Sequence, residues 1–207
     1  MYSKWQELTD GVNKAPPNSL LNQTVNVLSC AARRLAVETL GSKMLEFDSM
    51  LVLDSPHDFD ISLAGGMYRV ERASKPCKFY APLTVRGIAK LYTISSDNSL
   101  IYVGISQQPL SSRLGYGFRA NGKSGYYGYK WKSLESNLKL SVWTAKSNGV
   151  HSSLRLLEMV EAEVAYLCRE RTGQWPTHQH EIHFYPTESW HRDAAKRIYE
   201  HAIADRT

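Results

Sequence analysis

The stretch from Ala89 to Phe118 constrains the fold of this chain more than any other, because it reads as two short strands followed by a helix. Residues 89–94 and 100–105 are rich in β-branched, aliphatic and aromatic side chains, and the five residues SSDNS between them are all turn formers. This pattern predicts a β-hairpin. If its loop is symmetric, Tyr92 lies opposite Tyr102, and the two phenols stand side by side on one face of the sheet.

A glycine and a cation complete this candidate site. Gly104 belongs to the same face as the phenols, and its missing side chain predicts an opening through which a substrate reaches the backbone. Pro109 suits the first turn of the following helix. Arg113 comes one turn later on the same side as Leu110, so we expect its guanidinium to point back toward the phenols. Cross-strand packing of two tyrosines is the alternative interpretation of this pattern.

At these residues the chain resembles a known family. Tyr92, the segment Tyr102-Val103-Gly104 and the helix-opening Arg113 are similar to the core of the GIY-YIG endonuclease superfamily, and most similar to its stand-alone type II restriction endonucleases. The resemblance covers residues 87–185. It implies a phosphodiester hydrolase that acts on double-stranded DNA.

Two positions depart from the family pattern. Lys90-Leu91 precede Tyr92 where the family has Gly-Ile, which leaves the tyrosine itself in place. Gly117, rather than a Tyr or His, stands four residues after Arg113. Because of this second departure, no residue is assigned to one catalytic position of the family. Tyr116 is adjacent and is a second-tier candidate for it.

A glutamate lies inside the apolar face of a later helix. Between about Ser153 and Arg171 the apolar residues follow a helical period, and Glu161 falls within their stripe. A carboxylate in an apolar stripe is costly unless it is paired or binds a metal. The surrounding Val-Glu-Ala segment also resembles the glutamate helix of the family. A buried ion pair between Glu161 and Arg113, without a catalytic role, is the alternative.

Positive charge gathers directly after the hairpin. The net charge is +5, and residues 113–146 hold seven Lys or Arg residues against one acidic residue. The glycine-rich segment RANGKSGYYGYKWK in this region mixes cations with aromatics, a combination typical of phosphate contacts with stacking or groove insertion. The predicted DNA contacts are Gly104, Arg119, Lys123, Tyr127, Lys130 and Lys132. A loop whose aromatics fold inward is the alternative.

The N-terminal region is harder to interpret. We expect a helix over about residues 19–40 and strands over 50–53 and 67–72, with an acidic turn over 54–60 between the two strands. Asp58 and Asp60 suit a hard cation in such a turn, although an acidic turn is more often plain surface. Residues 1–86 are therefore assigned to an N-terminal extension, a DNA-binding or dimerisation lobe.

The C-terminal region carries several histidines. His178, His180 and His183, with Cys168 upstream, lack the paired ligand spacing of structural zinc sites, so we do not expect zinc. Glu181 and His183 alternate along a predicted strand and are second-tier candidates for the active site. Ser189 is predicted to cap a last helix that runs to about residue 205 and closes the core or forms a dimer interface.

Length and composition indicate an ordinary globular protein. The 207 residues, 43% of them hydrophobic, suffice for one core with an extension. No apolar run approaches the ~20 residues that span a bilayer, and three widely spaced cysteines argue against a disulfide framework. We expect a cytoplasmic protein without a membrane partner, and the resemblance implies a prokaryotic or phage-encoded one.

These observations predict one fold and one favoured function. The fold is α+β, a small mixed or antiparallel sheet flanked by helices over residues 87–185, with the extension over 1–86 and the last helix over 186–207. The resemblance implies a sequence-specific, homodimeric DNA endonuclease that needs Mg²⁺, with Mn²⁺ as a substitute, and no nucleotide cofactor. Structure-specific or non-specific nucleases and an inactive DNA-binding module of the same fold are the alternatives.

The resemblance and the chemistry of the side chains assign a role to each catalytic candidate. Glu161 would hold the metal, and Arg113 would bind the phosphate oxygens. Tyr92 is predicted to be the general base, its pKa lowered by the nearby cation, and Tyr102 its orienting partner. The sequence leaves open which tyrosine takes which role.

Overall fold

The fold is taken from a computed structural model that describes residues 51–64, 67–123, 125–134, 137–147 and 149–204. The chain divides into two compact units, residues 1–45 and 46–207, and all described residues belong to the second unit. The helix predicted over residues 19–40 lies outside the described residues.

The described unit contains short strands followed by helices. Its strands are β1 (Leu51–Leu53), β2 (His57–Ala64), β3 (Met67–Arg72), β4 (Lys75–Pro76), β5 (Lys90–Ser96), β6 (Ser99–Ser106), β7 (Leu138–Trp143), β8 (Ala145–Ser147) and β9 (Val150–His151). Its α-helices are α1 (Leu110–Arg119), α2 (Leu154–Thr172) and α3 (Ser189–Ile203), and a short 3-10 helix spans Lys130–Ser133. The predicted hairpin, its following helix and the two later helices are confirmed.

Two sheets organise these strands, and every strand pairing in them is antiparallel. The larger sheet has six strands in the order β4-β3-β2-β7-β5-β6, and the smaller has three in the order β1-β8-β9. With helices packed on the larger sheet, the described unit is an α+β fold. No helix of the described residues is long and apolar enough to cross a membrane.

The strands that precede residue 86 belong to the same sheet as the hairpin. β2 pairs with β7, which in turn pairs with β5, so the boundary that the sequence places between residues 86 and 87 separates strands of one sheet. The acidic turn predicted over residues 54–60 is wrong, because residues 57–64 form β2. Asp58 lies on that strand and contacts Nε2 of His201 at 2.9 Å, rather than forming a cation-binding loop with Asp60.

The six-stranded sheet separates two apolar clusters. On one face, Leu91, Val103 and Trp143 pack against the apolar residues of α2 and α3. On the other face, the strands pack with α1, with Leu83 and with the aromatic pair Tyr129 and Trp131. The candidate tyrosines Tyr92 and Tyr102 belong to this second cluster.

Local capping explains where the helices begin and end. The Ser153 side chain accepts a hydrogen bond from the Leu156 amide and starts α2, while Gly173, at φ 77°, ends it in the left-handed conformation that glycine favours. Glu188, rather than the predicted Ser189, caps α3 through a reciprocal box with His191.

The outer edge of β6 is covered by a segment without regular structure. The Gln179 side chain accepts from the Val103 amide at 3.0 Å and donates to the Val103 carbonyl at 3.1 Å, and the His178 amide donates to the Ile101 carbonyl. These contacts satisfy edge groups that would otherwise be free to pair with another chain. The strand predicted around Glu181 and His183 is wrong, since residues 179–188 carry no helix or strand.

Candidate active site

The two tyrosines of the hairpin share a face, but their register differs from the prediction. The loop has only two residues, Asp97 and Asn98, both with positive φ, and the pairing shifts between Ile94 and Ser95. Tyr92 therefore lies opposite Gly104, and Tyr102 lies opposite Ile94. The two rings are diagonal neighbours, with centroids 5.9 Å apart.

The bulge at this register shift determines the face of Tyr102. A two-residue loop continued without a bulge would place Tyr102 opposite Thr93, which points to the other side of the sheet. The extra residue in β6, Ile101, restores the alternation so that Tyr102 joins Tyr92.

Gly104 makes room for the phenols instead of leaving an opening. A Cβ at position 104 would lie 2.6 Å from Cε1 of Tyr102 and 2.9 Å from Cζ of Tyr92. Both distances are far below van der Waals contact, so the rings occupy the space above this glycine. The predicted opening for a substrate at Gly104 is wrong for this reason.

Arg113 projects from α1 into a group of phenols. Its guanidinium carbon lies 5.6 Å from the Tyr129 ring centre, and Nη1 donates to the Tyr126 hydroxyl at 3.5 Å. Burial lowers the pKa of Arg113, but Tyr92, Tyr129 and the other phenols raise it by more, so the net pKa is raised. The guanidinium is therefore a permanent positive charge in this part of the site.

Tyr129 is the residue that the sequence analysis missed. Its hydroxyl lies 3.0 Å from the Tyr92 hydroxyl, and its ring fills the space in which a Cβ of Gly117 would lie. Gly117 lies four residues after Arg113, where the family has a Tyr or His side chain. In this chain the Tyr129 ring, from the glycine-rich loop, fills the space beside Gly117. A glycine within a helix, followed by a loop of glycines and aromatics, is the sequence signal that points to such an exchange.

Close backbone contact holds the Tyr129 loop against α1. Gly128 has a φ of 78°, and a Cβ at that position would overlap the Gly117 carbonyl. The Tyr129 ring stacks on Trp131 with centroids 4.6 Å apart. Two glycines, one in the helix and one in the loop, are thus needed for the phenol of Tyr129 to reach Tyr92.

Burial dominates the acid–base behaviour of these phenols. It raises the pKa of Tyr92, of Tyr102 and of Tyr129, and the opposing effect of Arg113 is smaller in each case. The expectation that the cation lowers the pKa of Tyr92 is therefore wrong in its net direction. At neutral pH the three phenols are protonated and act as hydrogen-bond donors and acceptors.

Glu161 is a partly buried carboxylate among apolar neighbours on α2. Burial raises its pKa to about 8, Glu158 adds to the rise, and Arg113 opposes it. Within the described residues, nothing forms a hydrogen bond or an ion pair with this carboxylate, so the alternative of a direct Arg113 ion pair is not present. Glu161 also raises the pKa of Tyr102, so this carboxyl group and this phenol are close enough for their charges to interact.

The carboxylate suits a hard divalent cation whose remaining ligands come from elsewhere. The described residues contain no group of three His, Cys, Asp or Glu side chains that could hold a metal by themselves. Mg²⁺ commonly binds through one or two carboxylates together with waters and substrate phosphates. A carboxyl group without a protein partner, close enough to Arg113 to feel its charge, is compatible with that mode of binding.

The predicted DNA contacts differ in how free their side chains are. Tyr127 is 73% exposed, and Arg119, Lys123 and Lys130 are also exposed. Lys132 instead donates to the Ala120 carbonyl at 2.6 Å and to the Tyr127 carbonyl at 2.7 Å. Lys132 therefore holds the loop together.

The second-tier candidates occupy the surface around the site. Tyr116 stacks in parallel on Tyr126, with centroids 5.1 Å apart, and does not fill the position over Gly117. His183 is exposed and contacts both Glu158 at 3.4 Å and Glu181 at 3.2 Å. His183 thus contacts Glu181 on one side and Glu158 on the other. Glu158 lies one helical turn before Glu161 on α2.

A cavity of about 600 Å³ opens beside the loop. Its walls include Asn121, Tyr127, Tyr129, Lys130 and His180. Burial lowers the pKa of His180, and Lys130 and Arg113 lower it further, so this wall stays neutral beside the cations. The cavity therefore combines an exposed aromatic, a free lysine and the inner phenol Tyr129.

Comparison of the chain with protein-family models, with curated proteins and with solved structures gives no match.

Proposed function

We propose that the protein is a Mg²⁺-dependent, sequence-specific DNA endonuclease with a GIY-YIG-like core, similar to type II restriction enzymes. The observation that carries the proposal is the convergence of Arg113 with the buried tyrosines Tyr92 and Tyr102 near an unpaired carboxylate, Glu161. These residues come from two strands and two helices. A purely structural core would gain nothing from a buried carboxyl group without a hydrogen-bonding or ionic partner at this position.

The residues divide the chemistry of phosphodiester hydrolysis among them. Arg113 would bind the nonbridging oxygens of the scissile phosphate, where negative charge develops in the transition state. Glu161 would hold one Mg²⁺ or Mn²⁺, which when bound supplies a Lewis acid for the phosphate. Tyr92 and Tyr102 would orient the attacking water, and the phenol that accepts its proton would give up its own hydroxyl proton to a neighbouring hydroxyl or water in the same step.

Substrate recognition would come from the surface next to this site. The exposed side chains of Arg119, Lys123, Tyr127 and Lys130 offer phosphate contacts and a stacking surface. Sequence reading would fall to the residues outside the hairpin and its helices, including the part of the chain before residue 51.

The direct test is incubation of the protein with a long double-stranded DNA, with Mg²⁺ and with a chelator. Discrete fragments that need Mg²⁺ are the expected result. A smear of products would favour a non-specific or structure-specific nuclease. Intact DNA with tight, salt-sensitive binding would favour an inactive DNA-binding module and would contradict the enzymatic proposal.

Single substitutions test the assigned roles. Arg113→Ala and Glu161→Ala are expected to abolish cleavage while the proteins stay folded and bind DNA, and Glu170→Ala, an exposed position on the same helix, is the control. Tyr92→Phe removes only a hydroxyl and should also lose cleavage. Full activity of Glu161→Ala would remove the metal assignment, and tolerance of Phe at both 92 and 102 would leave only cross-strand packing for this pair.

We further propose that the protein acts as a homodimer on DNA. Double-strand cleavage of a palindromic site most simply uses two copies related by a twofold axis. The candidate interfaces are the apolar faces of the helices predicted over about residues 19–40 and 189–205. The second of these helices is α3, and it buries Ala195, Ile198 and Ala202 in the chain's own core. Sedimentation with a short duplex should give two chains per duplex, and a one-to-one complex that breaks both strands in one encounter would contradict the dimer.

A further inference from the structure

One wall of the cavity beside the glycine-rich loop is an exposed aromatic ring, that of Tyr127. The ring is held in place although most of it is in solvent, because a Cβ at Gly122 would lie only 2.8 Å from Cδ1 and Cζ of Tyr127. Gly122 has a φ of 86°, a conformation that glycine adopts at little cost. One side of the Tyr127 ring therefore rests on the loop backbone, and the remainder is open to a ligand.

The polar groups of the cavity can bind a heterocycle and an anion. Asn121 Oδ1 accepts from the Lys123 amide at 3.1 Å, so the NH₂ end of this side chain remains for a ligand. His180 forms a hydrogen bond with the Gly128 backbone, and its pKa is lowered by burial, so the second nitrogen of the neutral ring is an acceptor. Lys130 is exposed beside these groups and supplies a positive charge.

Size and charge restrict what the cavity can take. Its volume of about 600 Å³ lies within the range of small-ligand sites, about 300–1,000 Å³. Among the described residues, its walls carry two lysines and no carboxylate, which favours an anionic ligand. A flat aromatic wall beside cations is the arrangement that stacks a base and binds its phosphate. A base inside a duplex is paired and stacked, so only a nucleotide that has left the helix can enter a concave site.

We propose that this cavity binds a single nucleobase that has left the DNA duplex, with the base on Tyr127 and its phosphate beside Lys130. This inference rests on the proposed function, and it names an unpaired or extruded nucleotide as part of the substrate. Tyr129 lines the cavity, and its hydroxyl lies 3.0 Å from that of Tyr92, so the pocket adjoins the candidate catalytic residues. A base held there fixes the position of its strand relative to those residues.

Three labelled duplexes of one sequence test the pocket by fluorescence anisotropy, in the presence of a chelator so that no DNA is cleaved. The first is fully paired, the second carries one unpaired thymine, and the third has an abasic residue at that position. We expect the unpaired thymine to raise the affinity by about 10-fold or more over both other duplexes, because it offers a base for stacking without the cost of extrusion. The abasic duplex controls for bending at the bulge.

Substitutions in the cavity assign the preference to individual side chains. Tyr127→Ala should remove the preference for the unpaired thymine, whereas Tyr127→Phe should retain it, because stacking needs the ring and not the hydroxyl. Tyr166→Ala, at an exposed tyrosine of α2 that does not line the cavity, is the matched control and should keep the preference. Lys130→Ala should weaken the binding of all three duplexes alike, as loss of a phosphate contact does.

The outcomes separate the pocket from the nuclease. Equal affinity for the three duplexes, or a preference that survives Tyr127→Ala, would overturn the pocket, and cleavage of a long DNA by the same protein would leave the nuclease proposal standing. Saturable binding of free thymidine monophosphate without a preference among the duplexes would assign the cavity to a free nucleotide and overturn its role in DNA binding. Failure to bind any of the three duplexes would overturn both proposals.

Discussion

The raised pKa of Glu161 makes a prediction about stability that needs no substrate. The carboxyl titrates at about 8 in the folded protein against an ordinary 4.5, because burial disfavours its charge. Between these values the unfolded chain has released a proton that the folded chain still holds. The free energy of unfolding therefore falls as pH rises from about 4.5 to about 8, and this contribution levels off above that range.

Glu161→Gln removes this titration and keeps the size of the side chain. Each pKa unit is worth about 1.4 kcal/mol, so the full difference at high pH is at most about 5 kcal/mol. We expect about 2 kcal/mol, because relaxation and the remaining solvent contact reduce the cost of the charge. The variant should be close to the unaltered protein in stability at about pH 5 and more stable than it at about pH 9.

Urea denaturation followed by tryptophan fluorescence, in the presence of a chelator, measures this difference at each pH. Glu170→Gln, at an exposed position of the same helix, is the control and should show no such pH dependence. Added Mg²⁺ at high pH should stabilise the unaltered protein and leave Glu161→Gln unchanged. An equal stability difference between the two proteins at every pH would refute the argument that Glu161 is an uncompensated buried charge.

Three further substitutions test the packing and the DNA surface. Gly117→Ala should displace the Tyr129 ring, lower the free energy of unfolding by about 1–3 kcal/mol in urea denaturation and abolish cleavage. Gly115→Ala, two residues earlier in the same helix, meets only the flexible end of Arg119 and should be tolerated. Lys90→Met leaves three carbonyls without the ammonium that binds them and should lower the free energy of unfolding by about 2 kcal/mol or more. Lys130→Ala should weaken DNA binding alike for all sequences and reduce the slope of log K against log salt by about 1, as measured by titration.

Much of the secondary structure could be predicted from local pattern. The hairpin over 89–105 and the helix over 153–171 each carry a clear period and local stop signals, and the structure places both within a few residues of the expected bounds. The strand β2 is not predicted, although its first residues, HDFD, alternate aspartates with aromatic side chains. That alternation has the period of a strand, but the preceding Asp-Ser-Pro is typical of a turn, so the whole segment 54–60 is assigned to one acidic turn.

The register of the hairpin shows why the site was harder to predict than its elements. The sequence predicts both tyrosines on one face, and they lie there, but through a shorter loop and an extra residue at Ile101. A symmetric loop of five residues and a loop of two residues with a bulge give the same face with different partners. No local rule distinguishes the two loops. The choice depends on whether Asp97 and Asn98 adopt positive φ, and on the packing of the Tyr92 and Tyr102 rings over Gly104.

Tyr129 illustrates the stronger limit on prediction from sequence. Its hydroxyl meets Tyr92 across 37 positions of sequence, through a gap that exists only because Gly117 and Gly128 both lack side chains. Taken alone, Gly117 indicates only a residue of low helix propensity, and Gly128 indicates only a turn. Only the contact between these two glycines in the folded protein leaves the space that the Tyr129 ring occupies. The space over Gly117, for which the sequence offered no residue, is therefore filled through long-range packing, and substitutions at Gly117 and Tyr129 test whether this group of phenols is an active site or a packed core.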